Sequence, residues 1–123
     1  MLDASAILAV ILQERGGDRV IKLIDRSVVS AVNASEVYAK LTDLRFPPET
    51  IDGYFAEISP PVVSFETTLA RAAGLLRSTT REVGASFSDR ACLALAAARG
   101  ATAVTADRAW QRLDIGIRIE LIR

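Results

Sequence analysis

Histidine is missing from this chain altogether, and that absence excludes more chemistry than any single residue announces. Without an imidazole there is no Ser-His-Asp triad, no Cys-His pair, no H-E-x-x-H zinc site and no histidine base. Cysteine is nearly as scarce. Cys92 stands alone, so the chain can close no disulfide and build no zinc knuckle, and its place in an Ala-rich helix argues against thiol chemistry. A cytoplasmic location suits such usage. An excess of either charge is lacking too: 15 basic and 15 acidic residues cancel, which withholds the basic bias of many nucleic-acid binders and any acidic tail. Long apolar runs are absent. Ala6 to Leu12 is apolar, but Asp3 precedes it, no basic stretch leads it, and Gln13 and Glu14 end it. It is expected to be neither a signal peptide nor a membrane span. Whatever chemistry the chain performs must therefore run on carboxylates, hydroxyls, Arg or the two lysines.

What is present is an apolar half of 123 residues, enough for one sizeable core and one domain over residues 1–123. The most informative stretch is Ser86 to Asp107. Ser86 or Ser88 caps a helix, Asp89 falls in its first turn, and Ala91 to Ala98 is apolar on every side, as in a buried helix. Gly100 stops it. Thr102 to Thr105 then reads as a short buried strand that ends at Asp107, which opens another short helix to Leu113.

The same pattern of strand, acid and helix recurs elsewhere. Met1 to Asp3 can only be the end of a strand, with Asp3 capping a helix over Ala4 to Gln13. After Gly16 and Gly17 a helix runs from Asp18 to Asp25, and Ser27 to Ala31 is a second strand. Asn33 then caps a helix to about Leu44, with Glu36 three residues on in an approximate capping box. Phe46-Pro47-Pro48 ends that helix, and Glu49 to Ile58 forms the other arm of a helical hairpin, whose Tyr54 and Phe55 are expected at an interface, together with the apolar face of the first helix, or in the core. Val62 to Phe65 is a strand, Glu66 to Thr80 a helix, and Ile115 to Leu121 alternates as a half-buried edge strand. Strands alternating with helices predict an α/β fold, a three-layer α/β/α sandwich around a mainly parallel five-stranded sheet.

In such a sheet Asp3, Glu36, Asp89 and Asp107 share one edge, where open α/β sheets bind ligands. Each alone has a plain explanation, because acids in first helical turns cap and complement the dipole. Together they repel, so either several are protonated or a cation neutralises them; for a cation, oxygen donors without His or Cys select Mg²⁺ or Mn²⁺ over zinc. Divalent ions on an acidic cluster suit phosphodiester hydrolysis. A phosphatase of the haloacid-dehalogenase type needs a second Asp where Ser5 stands. A receiver domain needs a Lys near the acids, whereas Lys22 and Lys40 lie in predicted helices away from a strand end.

MLDASAIL, the Glu36 of NASEVYAKL, the Asp89 of SFSDRACLALA and the TAD of AVTADRAW resemble, in order and across the whole chain, the four acidic motifs of PIN domains, and in detail those of VapC-type toxins of toxin–antitoxin pairs. The resemblance implies a Mg²⁺- or Mn²⁺-dependent endoribonuclease, homodimeric, cytoplasmic, and blocked by a cognate antitoxin. It also implies that Asp3, Asp89 and Asp107 hold metal, that Glu36 completes the acidic quartet, and that the hydroxyls of Ser5 and Thr105 support them. Two features depart from it: only two residues precede Asp3, and the net charge lacks the expected basic bias. An RNA-processing or repair nuclease without antitoxin, and a PIN-fold binding module without catalysis, are the other functions this pattern admits.

Overall fold

The computed structural model describes residues 1–58 and 60–123. Helices dominate. In chain order they are α1 (Ala4–Ile11), α2 (Gly17–Ile21), α3 (Ala31–Asp43), α4 (Pro48–Ile58), α5 (Thr67–Leu75), α6 (Arg77–Thr80) and α7 (Phe87–Ala98). The strands are β1 (Val29–Ser30), β2 (Val62–Val63), β3 (Ala103–Thr105) and β4 (Ile119–Leu121), with short 3₁₀ turns at Ile24–Arg26, Arg81–Val83 and Arg108–Arg112. β1 pairs with β2 and β3 with β4, both in parallel. Between the two pairs lies Leu2, bridged in parallel to Val29 on one side and Val104 on the other. The central strand expected at Met1 to Asp3 is thus a single bridged residue, and the expected five-stranded sheet is present as two short parallel pairs joined through it.

Successive residues of a strand face opposite ways, and here they enter different cores. Leu2, Val29 and Val104 join Ile7, Val20, Val37 and Leu41. Met1 and Ala103 join Cys92, Leu93, Leu95 and Trp110. One core packs α1 to α4 and the other α7, which accounts for a helix apolar all round: Ala91 to Ala96 are all buried. Burial also pushes the Cys92 thiol well above its usual range, and a neutral buried thiol is inert.

Several boundaries differ from those the sequence predicts. α3 begins at Ala31 behind Ser30, whose side chain accepts the Val32 N–H, so Asn33 lies inside the helix and is no cap. The long helix expected over Glu66 to Thr80 breaks near Leu76, where the hydroxyls of Ser78, Thr79 and Thr80 bond back to the carbonyls of Leu75 and Leu76 and compete with the helical ladder. Tyr54 and Phe55 are half-buried and pack against the core. Phe55 stacks on Tyr38 at 4.7 Å and Tyr54 meets Phe46 edge-on at 6.1 Å, and the apolar face of α1 is core.

Two glycines set the angle at which α1 hands over to α2. Gly16 has φ +93°, and a Cβ there would stand 2.5 Å from the Ile122 carbonyl oxygen; one on Gly17 would stand 2.5 Å from that of Ala9. Gly16→Ala meets both a left-handed backbone and a backbone clash, so it is expected to cost about 2–3 kcal/mol. A lowered denaturation midpoint at unchanged slope would register it.

Candidate active site

Asp3 and Thr105 each stand two residues beyond a member of the α7-facing core, Met1 and Ala103, at the carboxyl ends of neighbouring parallel segments. Alternation turns both side chains to the same face. There Asp3 is almost wholly buried, at 4 % exposure, and Thr105 wholly so. Its Oδ2 accepts the hydroxyls of Ser5 at 2.6 Å and Thr105 at 3.0 Å, together with the Ser5 N–H at 3.3 Å, the last of which caps α1. Both hydroxyls in turn accept backbone N–H groups from the loop after β3: Ser5 Oγ that of Ala106, Thr105 Oγ1 that of Asp107. A hydroxyl has one proton. With both protons directed to Asp3, the 3.2 Å approach between Ser5 and Thr105 is a side-by-side contact.

The other oxygen of Asp3, Oδ1, accepts the Asn33 amide at 3.1 Å, and the same Nδ2 donates to the Ser88 carbonyl at 3.1 Å. Asn33 therefore joins Asp3 to the start of α7. One residue on, Asp89 forms a true capping box: its N–H meets Ser86 Oγ at 3.1 Å and its Oδ2 accepts the Ser86 N–H at 2.6 Å. Arg90 fastens the preceding loop through the carbonyls of Ala73, Ala85 and Ser86. Asp107 caps the turn at Arg108–Arg112, its Oδ1 accepting the Ala109 N–H at 2.8 Å.

Glu36 follows Asn33 by three residues on α3, hence on the same helical face. It lines a groove of about 630 Å³ with Val32, Ser35, Ser86, Phe87 and Ser88. Phe87 is 53 % exposed and is held edge-on by Phe65 at 5.6 Å. The structure thus links Asp3, Ser5 and Thr105 directly, reaches Asp107 through the Thr105 hydroxyl and the first turn of α7 through Asn33, and sets Glu36 on the adjoining groove.

The Asp3 carboxyl is raised from its ordinary 3.8, first by burial and further by the charge of Asp89, against the pull of hydrogen bonds from Ser5 and Thr105. The ion pairs among the described residues, Arg19–Glu120 and Arg123–Glu14, lie elsewhere, so no basic side chain neutralises these acids. The folded chain holds the Asp3 proton at a pH where the unfolded chain has released it. Its contribution to stability is therefore complete below 3.8 and lost as pH rises through the folded value. In chelator, the melting temperature of the wild type minus that of Asp3→Asn is expected to fall across that interval. A difference independent of pH would show that Asp3 titrates normally.

A hard divalent ion suits this donor set. Each aspartate spends one oxygen on a helix start, while Asp89 Oδ1 and Asp107 Oδ2 have no partner among the described residues and Asp3 Oδ1 has only one. The Asn33 Oδ1 is buried and has no partner among the described residues. Among the described residues no three acidic side chains converge tightly enough to cage an ion. That arrangement fits an ion that keeps several waters and takes one or two carboxylates, as Mg²⁺ does, better than a closed protein cage. Asn33 and Arg90 were not among the residues the sequence marked. Asn33 reads equally well as a cap, and only its place three residues before Glu36 hints at a shared face.

Comparison with known proteins gives a consistent result. The model of the PIN domain family matches residues 1–116. No match was found among curated proteins. The fold is similar to that of a chain in the DNA-bound VapBC complex from Salmonella typhimurium, with TM-score 0.71 and 20 % identity, covering 100 % of this chain and 97 % of that one. It is also similar to a chain of a toxin–antitoxin complex from Klebsiella pneumoniae, with TM-score 0.74 and 13 % identity over 99 % and 96 % of the two chains. VapBC-5 from Mycobacterium tuberculosis, of the VapBC family of toxin–antitoxin systems, gives TM-score 0.57 and 23 % identity over 99 % and 95 %.

Proposed function

The chain belongs to the PIN domain family, and from that premise we propose that it is the nuclease toxin of a toxin–antitoxin pair, a Mg²⁺- or Mn²⁺-dependent endoribonuclease of the cytoplasm. The observation that carries this reading is Asp3: a buried carboxyl with no basic partner among the described residues, set against the charge of Asp89, at the carboxyl edge of a parallel sheet. Asp3, Asp89 and Asp107 would hold the hydrated ion, one or two of them directly and the rest through its waters, Glu36 would complete the acidic set from the groove, and Ser5 and Thr105 would fix Asp3 in place. When bound, a divalent ion there activates water and offsets charge on the phosphate and the leaving oxygen. The chain's own contribution is to hold carboxylates in fixed directions, since each is tied to a helix start or a hydroxyl.

A single-stranded nucleic acid is favoured as substrate by the groove beside Glu36, and RNA in particular by the resemblance of the acidic motifs. An exposed ring braced from behind by Phe65 offers an unpaired base a face to stack on, and serine hydroxyls surround it. Phe87→Ala is expected to weaken binding of single-stranded RNA about 10-fold, within the range for loss of one base stack, and Phe87→Trp to restore it. Fluorescence titration in chelator would measure this. The likeness to chains of toxin–antitoxin complexes supports a cognate antitoxin as partner; a homodimer as the working form rests on the resemblance of the motifs alone. No helix among the described residues is long and apolar enough to cross a membrane.

A binding module without catalysis is favoured by one observation, that all three aspartates have capping duties of their own. Purified protein decides between the two. RNA cleavage that requires Mg²⁺ or Mn²⁺, stops in chelator, and is blocked by the product of an adjacent reading frame supports the toxin. Metal-independent RNA binding without cleavage supports the module.

A further inference from the structure

The Asn33 side chain is fully buried, and its bonding is lopsided. Both amide hydrogens are spent, one on Asp3 Oδ1 and one on the Ser88 carbonyl, while Oδ1 has no partner among the described residues. The amide cannot turn over. Reversal would press Oδ1 against two acceptors and strand both of them. The carbonyl oxygen is bonded to the same carbon as Nδ2, so it lies within a few ångström of Asp3. A buried acceptor left unmet is costly, and folds retain one where a ligand brings the donor.

Resting on the metal-dependent reading above, we propose that Asn33 is the positioning residue of the site: its amide holds Asp3 and the start of α7 in one frame, and its carbonyl receives a water of the hydrated ion. The donor count is complementary. Asp3 Oδ1, Asp89 Oδ1 and Asn33 Oδ1 are acceptors only, and water on a cation presents hydrogens only. One amide thereby fixes the direction of one ligand oxygen, sets its distance from the helix that carries the next, and takes a hydrogen from the ion's own shell. Leu has the heavy-atom count and branching of Asn without either function. Thr keeps a short donor for Asp3 but cannot also reach Ser88.

The test is calorimetric titration of the metal-free protein with Mn²⁺, alongside its melting temperature in chelator. Asn33→Leu is expected to lose 10-fold or more in Mn²⁺ affinity, as is usual for residues that orient metal ligands, with Asn33→Thr in between. A purely structural role would instead lower the melting temperature at unchanged affinity, and that result overturns the proposal. If Asn33→Leu shows no cooperative melt, Asn33→Thr decides alone, and wild-type affinity in it counts against Asn33. A wild type that takes up no Mn²⁺ defeats the metal-dependent reading itself, whereas equal uptake by wild type and Asn33→Leu defeats only the role of Asn33.

Discussion

Asp3→Asn is expected to lower kcat/KM for RNA by at least about 1000-fold, or about 4 kcal/mol of transition-state stabilisation, and to leave the fold standing. The substitution is nearly isosteric. The amide oxygen still accepts from Ser5 and Thr105, and the α1 cap survives. Burial no longer costs a charge, but the new amide faces the Asn33 amide, donor to donor. The two effects oppose, and melting in chelator at neutral pH should shift by no more than about 1 kcal/mol. Asp3→Ala separates chemistry from architecture. It strands two hydroxyls, the Ser5 N–H and the Asn33 amide in a buried site, and should cost about 2 kcal/mol or more on top of the lost activity. Cleavage by Asp3→Asn near the wild-type rate would remove Asp3 from the site.

Asp89→Asn carries the second large effect, with stability held or raised. Asn accepts the Ser86 N–H as Asp does, so the capping box loses at most about 1 kcal/mol. The charge that raises the Asp3 carboxyl is gone. The metal-free protein should melt at an equal or higher temperature, with a weaker pH dependence, because Asp3 is then easier to ionise. RNA cleavage should fall by more than about 100-fold, beyond what is typical for loss of a residue that merely orients a metal ligand. If Asp89 is only a first-turn residue, activity and Mn²⁺ affinity both stay at the wild-type level. The two readings can be told apart in one preparation.

How much of this was legible in the sequence varies with the range of the forces involved. Helix starts at Asp3 and Ser86, and the stop at Gly100, are governed by bonds within a turn or two, and the fold places them close to where the residues indicate, whereas the first helix ends at Ile11, ahead of Gly16. Strand lengths were not legible. β-branched runs such as Val62 to Phe65 continue past the last ladder bond, because pairing depends on a partner strand the local pattern does not contain. The start of α3 turned on two good caps, Ser30 and Asn33, and the choice was made by distant Asp3, which takes the Asn33 amide. Tyr54 and Phe55 look like surface aromatics until Phe46 and Tyr38 are known to lie against them. Asp3 and Asp107 follow strand ends and Asp89 lies in a first helical turn, as the pattern indicates, whereas Glu36 stands inside α3; the linkage through Ser5, Thr105 and Asn33 is a matter of hydroxyl and amide protons that spacing does not encode.

The aspartates' attachment to helix starts bears on how this chain would age if its chemistry were no longer needed. Mutational drift acts first where nothing else is lost. Asp3, Asp89 and Asp107 each keep a backbone N–H satisfied, so an idle copy would still be held at those positions to Asp, Asn, Ser or Thr, the residues that cap. Glu36 has no such second employment: the cap of α3 is Ser30, and Glu36 lies half-buried on an open groove. In descendants that have fallen silent, position 36 should be the first to wander, and an acid retained there is a better sign of a working nuclease than an aspartate retained at any of the other three.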